Sequence, residues 1–319
     1  MPQNKDEIID ISGWYTDDRA YAEGTLTKST LFSPDVDEFG FIVRNHRYLF
    51  KQGREDRSPW QYWSEIVAYK VGCYIQVKVP PAFAAVNSDT GEEGSLIEWF
   101  YNYPDSPRSR YTPAEQWFMR VNPKFDTKKG VAHNLEDAEV ICRTFMRANF
   151  IGDDWKKSLL KYFTLDALIG NVDRHQNNWG FIWATDKDDF RAQFSPAFDN
   201  GSSLGYEIID RKLCNFEDSE RIRAYIAKGQ HHMRLSRSAG GRPTHFELIE
   251  KFLTRYRRDN ALVSIVERAI DLRFDELSAE LYALCDYDMP TRLSEKRVSF
   301  MLRLIEARIG MLRPLLDQL

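Results

Sequence analysis

Apolar positions in the first hundred residues come in short runs broken by turn residues. Phe39 to Val43, Tyr48 to Phe50, Phe83 to Val86 and Ser95 to Tyr101 are rich in β-branched or aromatic residues and are bounded by Gly, Asn, Asp and Pro, the pattern of a small antiparallel sheet. Among them, Ser58-Pro59-Trp60-Gln61 sets an N-cap serine before a proline at the first helical position, with a glutamine placed to close a capping box. This predicts a helix that stops at Gly72. The stretch Tyr103-Pro104-Asp105-Ser106-Pro107-Arg108-Ser109-Arg110 is polar and Pro-punctuated, as exposed connections are. It divides the chain into a strand-rich lobe, residues 1–104, and a second lobe, residues 105–319. In the second lobe the apolar period lengthens to that of helices. Asn134 with Asp137 opens one helix (Leu135, Ala138, Ile141, Cys142, Phe145), and Asp153-Asp154 opens another (Leu159, Tyr162, Phe163, Ile169). Ser294 caps a third, with Val298, Met301, Leu302, Ile305, Ile309 and Leu312 on one face. Residues 179–183 and 190–194 predict a hairpin around an acidic turn. The plan is α+β, with a small strand-rich lobe, a larger helical lobe and a cleft between them.

Composition narrows the functional classes. Hydrophobic residues at 43% and charged residues at 29% fit a soluble globular protein and exclude collagen-like and disordered chains. Against 48 Asp and Glu, 44 Lys and Arg leave a formal charge of -4, so no global positive field gathers nucleic acid or acidic lipid. Direct nucleic-acid binding and membrane association are not expected. Cys73, Cys142, Cys214 and Cys285 form no CxxC pair, which argues against a zinc ribbon or a disulfide framework and for a reducing cytoplasm. The opening MPQNKDEIIDISGW is acidic where a signal peptide is basic and then apolar, and no apolar run approaches the length of a membrane span.

The segment Gly170-Asn171-Val172-Asp173-Arg174-His175-Gln176-Asn177-Asn178-Trp179 carries the chemistry. It is followed 21 residues after Asn178 by Asp199, in Pro196-Ala197-Phe198-Asp199-Asn200-Gly201. An Asp, four residues, an Asn, a hairpin and a second Asp is the arrangement of phosphoryl transfer. Asp173 is then the base that takes a hydroxyl proton, while the amide of Asn178 and the carboxylate of Asp199 hold Mg2+ against the phosphates of ATP. The competing reading is good turn chemistry in an Asn/Asp-rich loop. Lys51 shares a strand face with Leu49, where a charge is costly unless it meets an anion such as nucleotide phosphate, and Glu65 on the capped helix can pair with it. The alternative is an exposed Lys at a strand end and an exposed helical Glu.

The runs ALIGNVDRHQNNWGFI and FSPAFDNGSSLG resemble the catalytic segment of HipA-like kinases, bacterial Ser/Thr protein kinases best known as toxins of toxin-antitoxin pairs. GTLTKSTLF, RYLFK and the helix carrying Glu65 before VGCYIQVKVPP match that family's order of parts, so the resemblance covers roughly residues 24–235. The Asp-Arg-His triplet and Asp-Asn-Gly are also similar to type II phosphatidylinositol 4-kinases. The resemblance implies a two-lobed protein-kinase-like fold, a protein substrate, and an antitoxin on a separate chain. It implies that His175 supports the catalytic loop, that Gly24 to Ser29 covers the phosphates with hydroxyls from Thr25, Thr27 and Ser29, and that Glu98, Trp99 and Phe100 meet the adenine. Autophosphorylation is expected first at Ser29, then at Thr25, Thr27 and Ser33. The covering loop departs from a glycine-rich pattern, having one glycine.

His231, His232 and His245 lack ligands at metal-binding spacing and are expected in a solvated or substrate-facing loop. The basic run from His231 to Ser238 falls where kinases receive substrate. A kinase acting on a lipid or small molecule and a pseudokinase binding module are the competing functions. The presence of Lys51, Glu65, Asp173, Asn178 and Asp199 together speaks against the second, because a binding module has no use for a base.

Overall fold

A computed structural model describes residues 3–4, 6–16, 28–36, 39–53, 58–123, 125–126, 132–184, 191–257 and 259–317. The described strands of the first lobe are β1 (Ile9–Asp10), β2 (Tyr15–Thr16), β3 (Lys28–Phe32), β4 (Arg47–Gln52), β5 (Ala82–Val86) and β6 (Glu93–Glu98), and helix α1 (Gln61–Tyr74) lies between β4 and β5. They form one sheet in the order β1-β5-β6-β4-β3-β2, antiparallel except for β1 beside β5. Strand alternation gives the sheet two working faces. Ala82, Ala84 and Ile97 belong to the large core with α1, and Leu49 packs against it. Tyr48, Phe50, Phe83, Ala85 and Leu96 fill a smaller core with Ile9, Ile11, Leu31 and Ile42 on the other face.

The sequence expectations need three local corrections here. Phe39 to Val43 is a series of bends, not a strand, although Phe39 and Phe41 still pack on the smaller core. Helix α1 starts two residues after the expected proline, with Trp60 at its cap position and no side-chain cap bond. Ser58 instead lies in a bridge, its carbonyl accepting from the Gln61 N–H at 3.0 Å. The helix runs past Gly72 to Tyr74, and the chain reverses through Gln76 at φ 56°.

The second lobe contains β7 (Ser109–Pro113), α2 (Glu115–Val121), α3 (Leu135–Arg147), α4 (Trp155–Ile169), β8 (Gly180–Ala184) and β9 (Ala192–Phe194). It continues with a 3-10 segment (Asp210–Phe216), α5 (Ser219–Lys228), α6 (His245–Arg255), α7 (Asn260–Ile270), α8 (Phe274–Ala283) and α9 (Glu295–Leu316). The hairpin β8-β9 forms as expected, and β7 adds to it as a third antiparallel strand. Asn134 caps α3 by accepting from the Asp137 N–H, and Ser294 caps α9 by accepting from the Arg297 N–H. Helix α4 is central, packed by α1, α6, α7 and α9. It therefore presents its C-terminal end, and the chemistry that follows Gly170, from a rigid support. No helix among the described residues is long and apolar enough to cross a membrane.

Candidate active site

Lys51 sits on the α1 side of the sheet, 4% exposed. Its ammonium donates to Glu65 Oε1 at 2.5 Å and to Asp199 Oδ1. Burial alone would lower the Lys51 pKa, but the carboxylates of Asp199 and Glu65 outweigh it and leave the ammonium held above its ordinary range. Asp199 shows the complementary effect. Burial works to raise it, yet the Lys51 charge and hydrogen bond, with smaller help from Lys28 and His175, bring it down to about 2.

Glu65 does more than hold the lysine. Its Oε2 accepts from the Asn200 N–H at 2.9 Å and its Oε1 from the Gly201 N–H at 3.0 Å. A Cβ at position 201 would stand 3.2 Å from Oε1, so a residue without one lets the carboxylate approach. Asp199, just before these amides, adopts φ 59°, a left-handed conformation that Asp tolerates better than most residues.

The loop bearing Asp173 leaves α4 at Gly170, whose φ is 68° and where a Cβ would collide with the Arg308 guanidinium. Asn171 Oδ1 accepts from the Asp173 N–H at 2.9 Å. The Asp173 carbonyl accepts from the His175 N–H at 2.7 Å and from Asn178 Nδ2 at 2.9 Å. His175 Nδ1 in turn accepts from the Asn177 N–H at 3.2 Å, so its ring braces the same turn. Arg174 points inward and is 1% exposed. It forks onto Asp166 of α4, Nε to Oδ2 at 3.1 Å and Nη2 to Oδ1 at 2.7 Å. It also reaches the Asn178 carbonyl at 3.2 Å, the Phe198 carbonyl, and Asn200 Oδ1 at 2.6 Å. One guanidinium thus joins the helix, the Asp173 loop and the Asp199 turn. Burial works to raise the Asp166 pKa, but Arg174 and His231 keep it below its ordinary value.

Asp173 itself is half-buried with its pKa raised. Burial raises it most, His175 pulls it back, and the negative Asp199 pushes it up again.

At the end of β6, Glu98 accepts from Tyr103 Oη at 2.6 Å, and burial holds its pKa up. The Trp99 N–H donates to the Arg47 carbonyl at 3.0 Å, and the Trp99 carbonyl lies 2.6 Å from His46 Nε2. Phe100 stacks on Phe198 at 4.9 Å, directly before Asp199. Ser29 is half-buried on β3 opposite Phe50, next to Lys28, which pairs across from Lys51. Ser33 is 3% exposed, its hydroxyl 2.6 Å from the Val43 carbonyl. Thr25 and Thr27 lie outside the described residues.

No protein-family model matches the chain. A 52-residue stretch, 16% of this chain, is 44% identical to the Serine/threonine-protein kinase CtkA of Helicobacter pylori strain J99 and spans 15% of that relative's length. The crystal structure of the Helicobacter pylori proinflammatory kinase CtkA matches with a TM-score of 0.73, covering 98% of both chains at 18% identity. The chain has the protein-kinase fold. HipA of Shewanella oneidensis, in a structure with HipB and operator DNA, matches with a TM-score of 0.53 at 13% identity, over 94% of this chain and 68% of that one.

Within this kinase fold the histidine expectation fails. His231, His232 and His245 are 0%, 8% and 1% exposed and floor the Asp173 loop instead of standing in solvent. His231 Nε2 lies 3.3 Å from Asp166 Oδ2, and His245 Nε2 lies 2.7 Å from the Asn171 carbonyl. Trp179 Nε1 donates to His133 Nε2 at 3.1 Å. His133 therefore keeps its proton on Nδ1 and donates to His232 Nδ1 at 3.2 Å. The nearby basic run is partly spent on α3, where Arg237 Nε donates to Asp137 Oδ1 at 2.6 Å. Sequence reasoning does not single out Arg174 and Asp166 as positioning groups. A signal for Asp166 exists, since a carboxylate inside the apolar run Phe163-Thr164-Leu165-Asp166-Ala167-Leu168 needs a buried partner.

Proposed function

We propose that this chain is a Ser/Thr protein kinase of HipA-like type, using ATP and Mg2+ to phosphorylate a protein hydroxyl. The observation that carries the reading is the Arg174 guanidinium, which holds the loop of Asp173 and Asn178 to the turn of Asp199. Asp173 takes the proton of the acceptor hydroxyl as its oxygen bonds to the γ-phosphorus and the bridging bond to ADP breaks. Lys51, fixed by Glu65, neutralises phosphate charge. Thr25, Thr27 and Ser29 serve the phosphates. The adenine is met around Phe100, since both backbone groups of Trp99 are engaged.

Asn178 and Asp199 suit a hard dication. The amide nitrogen of Asn178 is spent on the Asp173 carbonyl, which leaves its oxygen as the ligating end, and Asp199 stays ionised. Bound there, Mg2+ supplies charge neutralisation for the phosphates.

Labelled ATP with Mg2+, the purified chain and a cell lysate tests the activity. Label on protein Ser or Thr supports it, whereas label confined to phosphatidylinositol vesicles assigns the chain to the lipid kinases. Intact-mass and peptide mass spectrometry of the same reaction is expected to find phosphate on the chain itself at Ser29, beside Lys28. Ser33 is disfavoured by its burial. Wild type that labels other proteins yet carries no phosphate between residues 24 and 33 would overturn autophosphorylation there. A toxin role with an antitoxin on a second chain rests on the HipA likeness alone, and copurification of such a chain from the native cell tests it.

The pH profile follows from Asp173. As a base it works deprotonated, and its pKa is raised, so kcat/KM should fall on acidification at a pH above the ordinary Asp value of about 3.9. Asp199, at about 2, contributes nothing to that limb. A limb at or below the ordinary Asp value would contradict the role given to Asp173.

A further inference from the structure

Helix α1 carries Glu65, and residues far along the chain grip it from three sides. Just before Glu65, Tyr62 Oη lies 2.9 Å from the Thr291 carbonyl, and Trp63 Nε1 donates to the same oxygen at 3.0 Å. The Thr291 N–H donates to Glu93 Oε2 of β6 at 2.8 Å. That oxygen also lies 3.1 Å from Tyr62 Oη. One peptide unit is thereby clamped between the sheet and the helix. Below Glu65, Lys70 pairs with Glu280 of α8 at 2.5 Å. At the helix start, Trp60 Nε1 donates to the Tyr206 carbonyl at 2.8 Å, and the Arg297 guanidinium covers the Trp60 ring at 4.2 Å.

The segment that supplies Thr291 is itself anchored. Tyr287, Met289 and Leu293 are 4%, 2% and 1% exposed, and Pro290 restricts the backbone immediately before Thr291. Apolar packing alone tolerates small rotations of a helix about its axis. Two side-chain donors converging on a single carbonyl do not, because both bonds lose alignment together. Glu65 depends on that rotation, since its oxygens must meet Lys51, Asn200 and Gly201 at once.

We propose that residues 287–293 form a built-in brace that sets the rotation of α1, with Tyr62, Trp63 and Glu93 as positioning residues acting through the Thr291 peptide. The function of the brace rests on the kinase reading. It makes the Lys51–Glu65 pair a standing feature of the fold.

The test uses the full chain with Tyr62→Phe and Trp63→Phe combined, which removes both donors to the Thr291 carbonyl and keeps aromatic rings in place. Native-state hydrogen exchange should quicken at the Asn200 and Gly201 amides by at least about tenfold, while the amides of α7 keep wild-type protection. kcat should fall by a similar factor with the KM for the protein acceptor unchanged. Thr291→Pro attacks the same clamp from the other side, deleting the N–H given to Glu93, and should reproduce both effects. Uniformly faster exchange across α1, α4 and α7 in both variants would reduce these contacts to general stability and overturn the brace. Unchanged exchange at Asn200 and Gly201 in either folded variant would overturn it too. The exchange readout needs no phosphoryl transfer, so a chain without kinase activity would sink the kinase reading while the positioning of Glu65 is still decided.

Discussion

Asp173→Asn is expected to lower phosphoryl transfer by about a hundredfold to ten-thousandfold, the range for losing a positioned general base, while Mg-ATP affinity stays within a few fold. The asymmetry comes from how the residue is held. Its backbone N–H is fixed by Asn171 and its carbonyl by His175 and Asn178, so the loop keeps its shape when the carboxylate becomes an amide. Lys51 and Asp199, which are assigned to the nucleotide, are untouched. What disappears is the acceptor for the hydroxyl proton. Rapid-quench single turnovers measure the first quantity and calorimetry with Mg-ATP the second. Full activity would remove Asp173 from the role of base, and a large loss of nucleotide affinity would make it part of the phosphate site instead.

Arg174→Met should be the most destabilising single change in the site, by about 3 to 5 kcal/mol, the usual consequence of leaving one member of a buried ion pair alone. Asp166 is fully buried, and apart from Arg174 its charge meets His231. The same substitution frees the Phe198 carbonyl, the Asn178 carbonyl and Asn200, so activity should fall even where the protein remains folded. Arg174→Lys should recover little, since an ammonium cannot reproduce the fork that meets both Asp166 oxygens. Combining Asp166→Leu with Arg174→Met should recover part of the stability because no uncompensated charge remains. Urea unfolding of the three variants checks the series. A loss near 1 kcal/mol for Arg174→Met alone, about the size of an ordinary hydrogen bond, would mean that Arg174 does not carry the junction.

Much of this site could be read from the chain because its signals are local. Asp173, Asn178 and Asp199 are spaced by a loop and a hairpin that both announce themselves in the sequence, and the alternation of β4 puts Lys51 beside Leu49 without any tertiary knowledge. The caps at Asn134 and Ser294 were legible for the same reason. Elsewhere local chemistry lost to distant partners. Ser58 reads as a cap, but Trp60 is bonded to the distant Tyr206 carbonyl and α1 begins after it. Tyr103 to Arg110 reads as linker, yet its last two residues begin β7, which completes the sheet of the hairpin, with the preceding loop closed by bonds between Asn102 and Ser109. The histidines have polar neighbours in sequence, and only the packing of α4, α6 and the Asp173 loop brings them inside. Nothing in an Asp-Arg-His triplet tells which way its arginine turns.

The two faces of the first sheet have different fates under stress. The face with Lys51 is continuous with the large core through α1, so it melts only when the second lobe does. The opposite face is closed by the short β1 and β2, by Trp14 and by the bends at Phe39 and Phe41. This cover is fastened near its start by Gln3, whose amide pairs reciprocally with Ala84 at 2.8 and 2.7 Å and whose carbonyl accepts from Tyr287 Oη. Local opening that releases it exposes a small apolar layer at less cost than global unfolding. The sheet can therefore breathe at its back while its Lys51 side remains assembled, and the chain carries a separable unfolding unit inside a single lobe.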